Sequence, residues 1–372
     1  MQKNSLKINQ FQTRKTSLID SRLVNQQLNL EIYNSGSIVL KIEKLSFTSN
    51  NISYCVAGEK LGYWKFFPAL KNIRNEWGCI PAWGFAKVIH SKNENLMIGE
   101  RFFGYFPLAD ILIFDEVNIS GNTIIDMSKH RKELPGVYNT YIKVSDDAND
   151  ETDNLKALLF PLHVTAFCIC DFLQDVSYYQ SEQILILSAS SKTALGLAQG
   201  LGEIKGVPDT IGITSQNNIN FVKDLKSYTH ILSYEDLHKI SHNKKTLIID
   251  MSGNRKILGS LHNSLKENMI KCITVGMTHW DSETTEKDIL SQMMIRERTE
   301  FFFAPTHIKK RTKDWGERGF NKKINTFMKA RIIQSKNWIK IKEIKGLNNF
   351  SSMYDNFTRG TIKPEEGLII TL

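Results

Sequence analysis

A run of small polar residues separates an apolar segment from an alanine-rich one in QILILSASSKTALGLAQGLG, residues 183–202. Ile184 to Leu187 is too short for a helix and suits a buried strand. Ala194, Leu195, Leu197, Ala198 and Leu201 recur at the three- and four-residue spacing of a helix. Strand, small-residue turn and helix together aim backbone N–H groups and a helix N-terminus at a phosphate. Ser190, Ser191 and Thr193 add hydroxyl donors and Lys192 adds a charge, but of the usual glycines only Gly196 is present. Two readings stay open on these residues alone, a dinucleotide site and an ordinary buried strand–helix unit. Lys192-Thr193 matches the end of a P-loop, yet the GxxxxGK frame is missing, which argues against a nucleoside triphosphate site.

The elements that must position this turn follow from the rest of the chain. Its 372 residues suffice for about two domains, and 41% hydrophobic with 23% charged residues is a globular balance. Apolar runs fall short of the roughly 20 residues that span a bilayer, so no membrane insertion is expected. The N-terminal stretch MQKNSLKINQFQTRKTSLID lacks the apolar core of a signal peptide, which makes cytoplasmic location the expectation. Cys55, Cys79, Cys168, Cys170 and Cys272 are scattered, odd in number and without zinc spacing. The net charge of +9 is concentrated in residues 301–345, where 13 Lys and Arg face three Asp and Glu. A solvated helix face accounts for that excess, and nucleic-acid binding through residues 309–345 would rest on charge alone.

Residues 1–35 read as polar and irregular, and alternating Ile38, Leu40, Ile42 and Leu45 as a half-buried strand. Residues 54–63 read as a loop, followed by the aromatic-dense Tyr63, Trp64, Phe66, Phe67 and Trp77. Short strands with glycine turns continue to Val144, the pattern of a small β-barrel. The acidic DDANDETDN, residues 146–154, reads as a link, so the first domain is expected over 1–154, completed by 332–372. Over 155–331 helices alternate with strands near 184, 210, 230, 246 and 270, then EFFFAP and a basic helix near 318–331. That alternation implies a parallel sheet with its ligand site at the carboxyl ends of the strands. Phe301–Phe303 reads as a buried strand.

The order of these pieces resembles the medium-chain dehydrogenase/reductase superfamily, in its zinc-free, quinone-reductase-like branch. The residues that carry the resemblance span most of the chain. Gly36 to Ile42 is similar to the superfamily's opening strand, IGERFFG (98–104) to a following turn, and GVYNTYIKV (136–144) to a later strand. Thr165-Ala166-Phe167 matches the helix entering the nucleotide domain. Gly212, Ser215 and Tyr234 match the spacing around its second and third strands. A closer similarity is to a subfamily designated only as a domain of unknown function, through TSNNISYCVAGE (48–59), GYWKFFPA (62–69), SASSKTALGLA (188–198), VGMTHWD (275–281) and FFFAP (301–305). The resemblance implies an α/β fold, a GroES-like β-barrel catalytic domain plus a Rossmann-type doubly wound parallel sheet.

It also implies a zinc-independent NADP(H)-dependent reductase acting on an activated C=C or C=O of a small apolar substrate. A non-catalytic NADP(H)-binding sensor or regulator of the same fold is the alternative. The cofactor would be held by Ser190, Ser191, Lys192, Thr193, Thr214 and Ser215, with Gly253, Gly276 and Thr165. Thr165 would back the nicotinamide, or else bond its own helix backbone. No Asp or Glu lies between Ile211 and Phe221, so Thr214 and Ser215 can meet a 2′-phosphate without repulsion, which favours NADP(H) over NAD. The lysine that relatives often carry four positions after that serine is Ile219 here, which leaves Lys192 to supply the charge. Asn50-Asn51 and Pro81 to Gly84 stand where zinc members place ligands, so no metal is expected. Hydride transfer then needs a donor to polarise the substrate, for which Tyr54 and Asn51 are candidates, with Tyr63 behind them. A barrel-core tyrosine with a satisfied hydroxyl is the other reading of Tyr54. His279 is the candidate proton donor, or a residue at a subunit contact, since a homodimer is common in the superfamily.

Overall fold

Residues 5–29, expected to be irregular, form a hairpin of β1 (Ser5–Arg14) and β2 (Ser17–Asn29). Hydropathy hides it because its buried positions include Gln10 and Gln12. Gln10 accepts the Leu70 N–H at 2.8 Å, and Gln12 donates to the Leu70 carbonyl at 2.9 Å and to Gln10 at 2.7 Å. Glutamines thereby replace an apolar face, each polar atom being matched to a loop that crosses over it. The computed structural model describes residues 5–145, 150–275, 293–358 and 362–372. It divides into two units, Met1–Phe160 with Ser335–Leu372, and Pro161–Gln334.

In the first unit the alternating pattern from Ile38 gives β3 (Ile38–Phe47). It is followed by α1 (Ser49–Val56), β4 (Trp77–Cys79), β5 (Pro81–Ser91), β6 (Arg101–Pro107), β7 (Ile111–Phe114), β8 (Val117–Ser120), β9 (Thr123–Asp126) and β10 (Thr140–Val144). The chain returns after the second unit through β17 (Lys340–Lys345), a helix at Gly346–Thr358 and β18 (Glu366–Thr371). Nine strands join in the order β17-β18-β3-β5-β6-β10-β9-β8, with β7 on β3, antiparallel except for β17 and β18. They enclose one cluster that includes Leu40, Ala86, Phe102, Phe106, Tyr141 and Leu368. Gly104 is required there, since a Cβ would lie 2.2 Å from the Tyr141 ring.

Residues expected to be a loop from Tyr54 begin inside α1. Thr48 caps that helix, accepting the Asn50 N–H, while the Asn51 side chain accepts the Thr48 N–H at 2.7 Å. This reciprocal cap starts a helix in a stretch whose composition reads as turn.

Arg131 lies 1% exposed in the barrel and pairs with the buried Asp126. It also donates to Tyr141 Oη at 3.0 Å and to the Tyr138 carbonyl at 3.3 Å, and its guanidinium covers the Phe67 ring at 4.7 Å. One cation so ties together β9, β10 and the aromatic loop after α1.

The acidic stretch read as a link is a helix from Asp150 onward. Asp150 and Asp153 pair with Lys44 and Arg101 at 2.7 Å each, which fixes the start of α2 (Asp150–Asp175) to the barrel. Acids in a first turn also favour the helix dipole. By composition α2 is long and apolar enough to cross a membrane, but Leu158, Leu159, Ala166 and Ile169 are fully buried as core. The second unit continues with β11 (Gln183–Leu187), α3 (Lys192–Gly202), β12 (Asp209–Thr214), α4 (Ile219–Asp224) and β13 (His230–Ser233). Then come β14 (Thr246–Asp250), α5 (Arg255–Leu265), β15 (Met269–Val275), β16 (Thr299–Phe302) and α6 (Ala304–Ser335), which breaks at Gly316, φ 69°. All six strands are parallel, in the order β13-β12-β11-β14-β15-β16. Numbered from β11, that is the 3-2-1-4-5-6 order of dinucleotide-binding sheets.

Phe301–Phe303 is not uniformly buried: Phe302 is 9% exposed and Phe301 41%, the alternation of an edge strand. The cations of α6 are partly spent on packing. Arg311 binds Asp171 and Asp175 of α2 and covers the Trp315 ring, and Arg331 binds Glu203 over Phe327. Close helix packing around α3 depends on Gly196, where a Cβ would stand 2.6 Å from the His163 ring. That imidazole is fully buried and its Nε2–H donates to the Lys192 carbonyl at 3.2 Å. Burial pushes its pKa down to about 3, and that of His262 down to about 4.

Two outcomes follow from these buried charges. Asp126→Asn strands the Arg131 charge and should cost about 3–5 kcal/mol, read as a lower urea midpoint. A histidine held neutral in the fold takes up its proton on unfolding, so stability falls as pH drops from about 6.5 toward the folded values. Replacing His163 by Gln should flatten that acid slope by about 1.4 kcal/mol per pH unit between about pH 4 and 6. An unchanged slope in urea titrations would remove His163 from the account.

Candidate nucleotide site

Both faces of the β11 turn are built from neighbouring side chains. At the end of β11 Ser188 adopts φ 58°, where glycine is ordinarily required. Its N–H donates to Tyr234 Oη at 3.0 Å, from the segment just past β13. Ala189 is anchored twice, its N–H donating to the Ile213 carbonyl at 3.0 Å and its carbonyl accepting Tyr228 Oη at 2.9 Å. Gly212 on β12 leaves room for the Tyr228 ring, which a Cβ would meet at 2.8 Å.

Ser190 is 8% exposed, and its Oγ accepts from Thr214 Oγ1 and from Asn218 Nδ2, both at 3.1 Å. A hydroxyl that already accepts twice keeps its own hydrogen for a further acceptor. Ser191 caps α3, accepting the Ala194 N–H at 3.3 Å. Lys192 and Thr193 are the first two residues of α3, both half-buried. First-turn N–H groups have no carbonyl within their helix, so α3 presents donors and a partial positive charge here. Ser215 precedes a short 3-10 turn, Gln216–Asn218, and its carbonyl accepts the Asn218 N–H at 2.9 Å while its side chain makes no cap hydrogen bond.

Ser190, Ser191, Lys192, Thr193, Thr214 and Ser215 therefore gather at the carboxyl ends of β11 and β12. Gly253 stands apart after β14, at φ 67°, and its N–H is given to Asp250 Oδ2 at 3.3 Å. Burial raises the Asp250 pKa, and the same carboxylate accepts the Ser252 N–H and hydroxyl at 2.8 and 2.6 Å. Thr165 lies on α2, where its hydroxyl donates to the Pro161 carbonyl at 2.9 Å, the helix-bonded alternative. Gly276 and His279 lie outside the described residues. Sequence reasoning missed Asn218 and Tyr228, which join the loop only through the folding of the β12 and β13 segments. The Gly212–Ser215–Tyr234 spacing was the signal that could have pointed to that neighbourhood.

In the barrel unit Tyr54 is 6% exposed on α1 and stacks at a tilt on Tyr63, with ring centroids 4.6 Å apart. Tyr105 and Tyr138 complete the cluster, and the Tyr63 and Tyr138 hydroxyls lie 3.1 Å apart. Burial pushes the Tyr54 pKa up to about 12 and raises those of Tyr63, Tyr105 and Tyr138. All four are neutral phenols at physiological pH, able to donate a hydrogen bond but not to act as bases. The Tyr105 hydroxyl is buried without a hydrogen-bond partner among the described residues. Asn51 is committed to the scaffold, as Oδ1 accepts the Thr48 N–H and Nδ2 donates to the Pro81 carbonyl at 2.8 Å. Among the described residues no three His, Cys, Asp or Glu side chains converge as a metal site, and all five cysteines are free and buried.

Comparison with solved structures identifies the fold. CurA from Vibrio vulnificus, in complex with NADPH, superposes with a TM-score of 0.63 at 14% identity over 98% of both chains. The quinone oxidoreductase from Coxiella burnetii gives 0.56 at 16% identity, covering 99% of this chain and 100% of that one. A complex of Etr1p with NADP and crotonyl-CoA gives 0.58 at 13%, again over 99% and 100%. These likenesses establish the fold, a GroES-like barrel with a Rossmann-type parallel sheet. No curated protein matches in sequence. A family match covers residues 45–363, most of the chain, and on it the protein belongs to the family described as Protein of unknown function (DUF2855).

Proposed function

We propose that this chain is an NADP(H)-dependent reductase that needs no zinc and acts on an activated C=C or C=O of a small apolar substrate. The observation that carries the reading is the donor-rich, carboxylate-free turn at the ends of β11 and β12, in a sheet of 3-2-1-4-5-6 order. Residues 210–220 hold no acidic side chain. Ser190 retains a hydroxyl hydrogen, Thr214 and Ser215 carry hydroxyls, and Lys192 begins the helix whose N-terminus faces that turn. These groups fit a ribose phosphate better than a ribose diol, for which an acidic acceptor is the usual partner. The structurally similar proteins with NADPH or NADP bound support the same cofactor.

When bound, NADPH supplies the hydride. The chain's own part is to hold the phosphates at the start of α3 and to polarise the substrate through a neutral donor. Tyr54 is assigned that donor role: its raised pKa keeps the proton on the phenol, so it stabilises a developing oxyanion without being ionised. The aromatic cluster around it, Tyr63, Tyr105 and Tyr138, excludes water and suits an apolar, planar substrate.

Fluorescence titration tests the cofactor. NADPH should bind with quenching and NADH more weakly. Lys192→Ala should weaken NADPH by roughly tenfold, about 1.4 kcal/mol, while leaving NADH nearly unchanged. An equal loss for both would move Lys192 to the pyrophosphate. Consumption of NADPH against quinones, enals and enones then tests turnover. Tyr54→Phe should lower kcat by about 10²-fold with little change in NADPH affinity. Binding without turnover across the panel would replace the enzyme reading by that of an NADP(H)-responsive regulator, and absence of binding would defeat both.

A further inference from the structure

The turn between β11 and α3 depends on a residue that lies outside it. Ser188 stands at φ 58°, and its carbonyl accepts the Ser191 N–H at 2.8 Å. Ser191 in turn caps α3, accepting the Ala194 N–H at 3.3 Å. The direction of the first turn of α3 is therefore set through one tight turn that begins at Ser188. A non-glycine residue stays in the left-handed region only where a contact keeps it there. Ala189 is fixed independently, by the Ile213 carbonyl and by Tyr228. The conformation left to be decided is that of Ser188 itself.

Among the described residues, the side chain that meets the Ser188 N–H is Tyr234, through Oη at 3.0 Å. β12 lies between β11 and β13, so the phenol, which follows β13, reaches the turn across the end of β12. Its ring packs with Leu232 and Leu237 on the core cluster that holds Leu187 and Ile213, which fixes where the hydroxyl stands. Burial raises its pKa, so Oη belongs to a neutral phenol that can accept the N–H. Ser252, whose hydroxyl is given to Asp250 Oδ1 at 2.6 Å, hydrogen-bonds the same phenol from the side of β14. Phenylalanine at this position would keep the ring packing and lose the contacts of the hydroxyl.

Without that bond, the steric preference of an L-residue draws Ser188 back toward negative φ. Its carbonyl then turns away from the Ser191 N–H, and the cap of α3 shifts with it. We infer that Tyr234 is a positioning residue of the nucleotide site: by accepting the Ser188 N–H it holds the left-handed residue from which the α3 N-terminus is aimed at the cofactor phosphates. The inference rests on the NADP(H) reading above. Glycine would allow the same geometry with no partner, whereas here it is imposed by a side chain 46 residues away.

The test is a double-substitution cycle in the full chain, read by fluorescence titration with NADPH and by urea denaturation. Tyr234→Phe should weaken NADPH by roughly tenfold. In the Ser188→Gly background, where the left-handed conformation needs no brace, the same substitution should weaken NADPH by less than about threefold. Urea midpoints should follow the same pattern. Tyr228→Phe, which releases the Ala189 carbonyl, is the comparison, and its effect should be equal in both backgrounds. Equal losses from Tyr234→Phe in the two backgrounds, or an equal rescue of Tyr228→Phe by Ser188→Gly, would overturn the inference. A parent chain that binds neither NADPH nor NADH removes the cofactor reading and this inference together, whereas NADPH binding with an additive cycle removes this inference alone.

Discussion

A strand that turns into a helix without glycine must hold a side chain where glycine is wanted. Here that residue is Ser188, and a single hydrogen bond from its N–H to Tyr234 secures it. A non-glycine residue in the left-handed region costs roughly 1–2 kcal/mol, which one hydrogen bond to a half-buried phenol largely offsets. The remainder of the turn depends on the same neighbours. Tyr228 takes the Ala189 carbonyl, and Thr214 with Asn218 takes Ser190. Glycine-rich loops approach a phosphate by having no side chains. This one instead carries side chains braced by the β12 and β13 segments, so its shape is specified by contacts far away in sequence.

The barrel follows the same logic with different residues. Several of its buried polar groups are matched to fixed partners rather than avoided. Gln10 and Gln12 hold the loop at 68–70, Asn51 closes the α1 cap while reaching Pro81, and Arg131 joins Asp126, Tyr138 and Tyr141. Each would be costly alone in an apolar interior, and each is tolerable because its partners are fixed. The consequence for the tyrosine cluster is direct. Arg131 fixes both the Tyr138 backbone and the Phe66–Phe67 loop, so the groups around Tyr54 are set by one buried ion pair.

How much of this could be read beforehand depended on whether the signal was local. The parallel sheet was legible because Ile184–Leu187 and Leu247–Ile249 are short, uniformly apolar runs buried on both faces. The hairpin at 5–29 was not, since its inward glutamines mimic an exposed strand. α1 was obscured because a cap made by Thr48 and Asn51 outweighs weak helix propensity. The start of α2 was obscured because Asp150 and Asp153, polar in composition, serve as ion-pair partners for Lys44 and Arg101. At the nucleotide turn the residue types were visible, but their roles were not. Asn51 had the chemistry of a donor until its two ends were found to be occupied, and Asn218 joined the site through a hydrogen bond 28 residues back in sequence.

The proposed preference for a phosphate at this turn rests finally on where negative charge is kept. β12 ends in hydroxyls and amides. β14 does end in a carboxylate, yet Asp250 is fully buried, bonded to Ser252 and Gly253, and shifted toward its neutral form by desolvation. Asp236, after β13, is turned to Lys239 and Ser233. These two carboxylates are thus held in local turns, whereas the α3 N-terminus and Ser190 lie at the ends of β11 and β12. On the proposed reading, a 2′-phosphate at the ends of β11 and β12 would meet no acidic side chain from residues 188–193 or 210–220, and a ribose diol there would find no acidic acceptor among them.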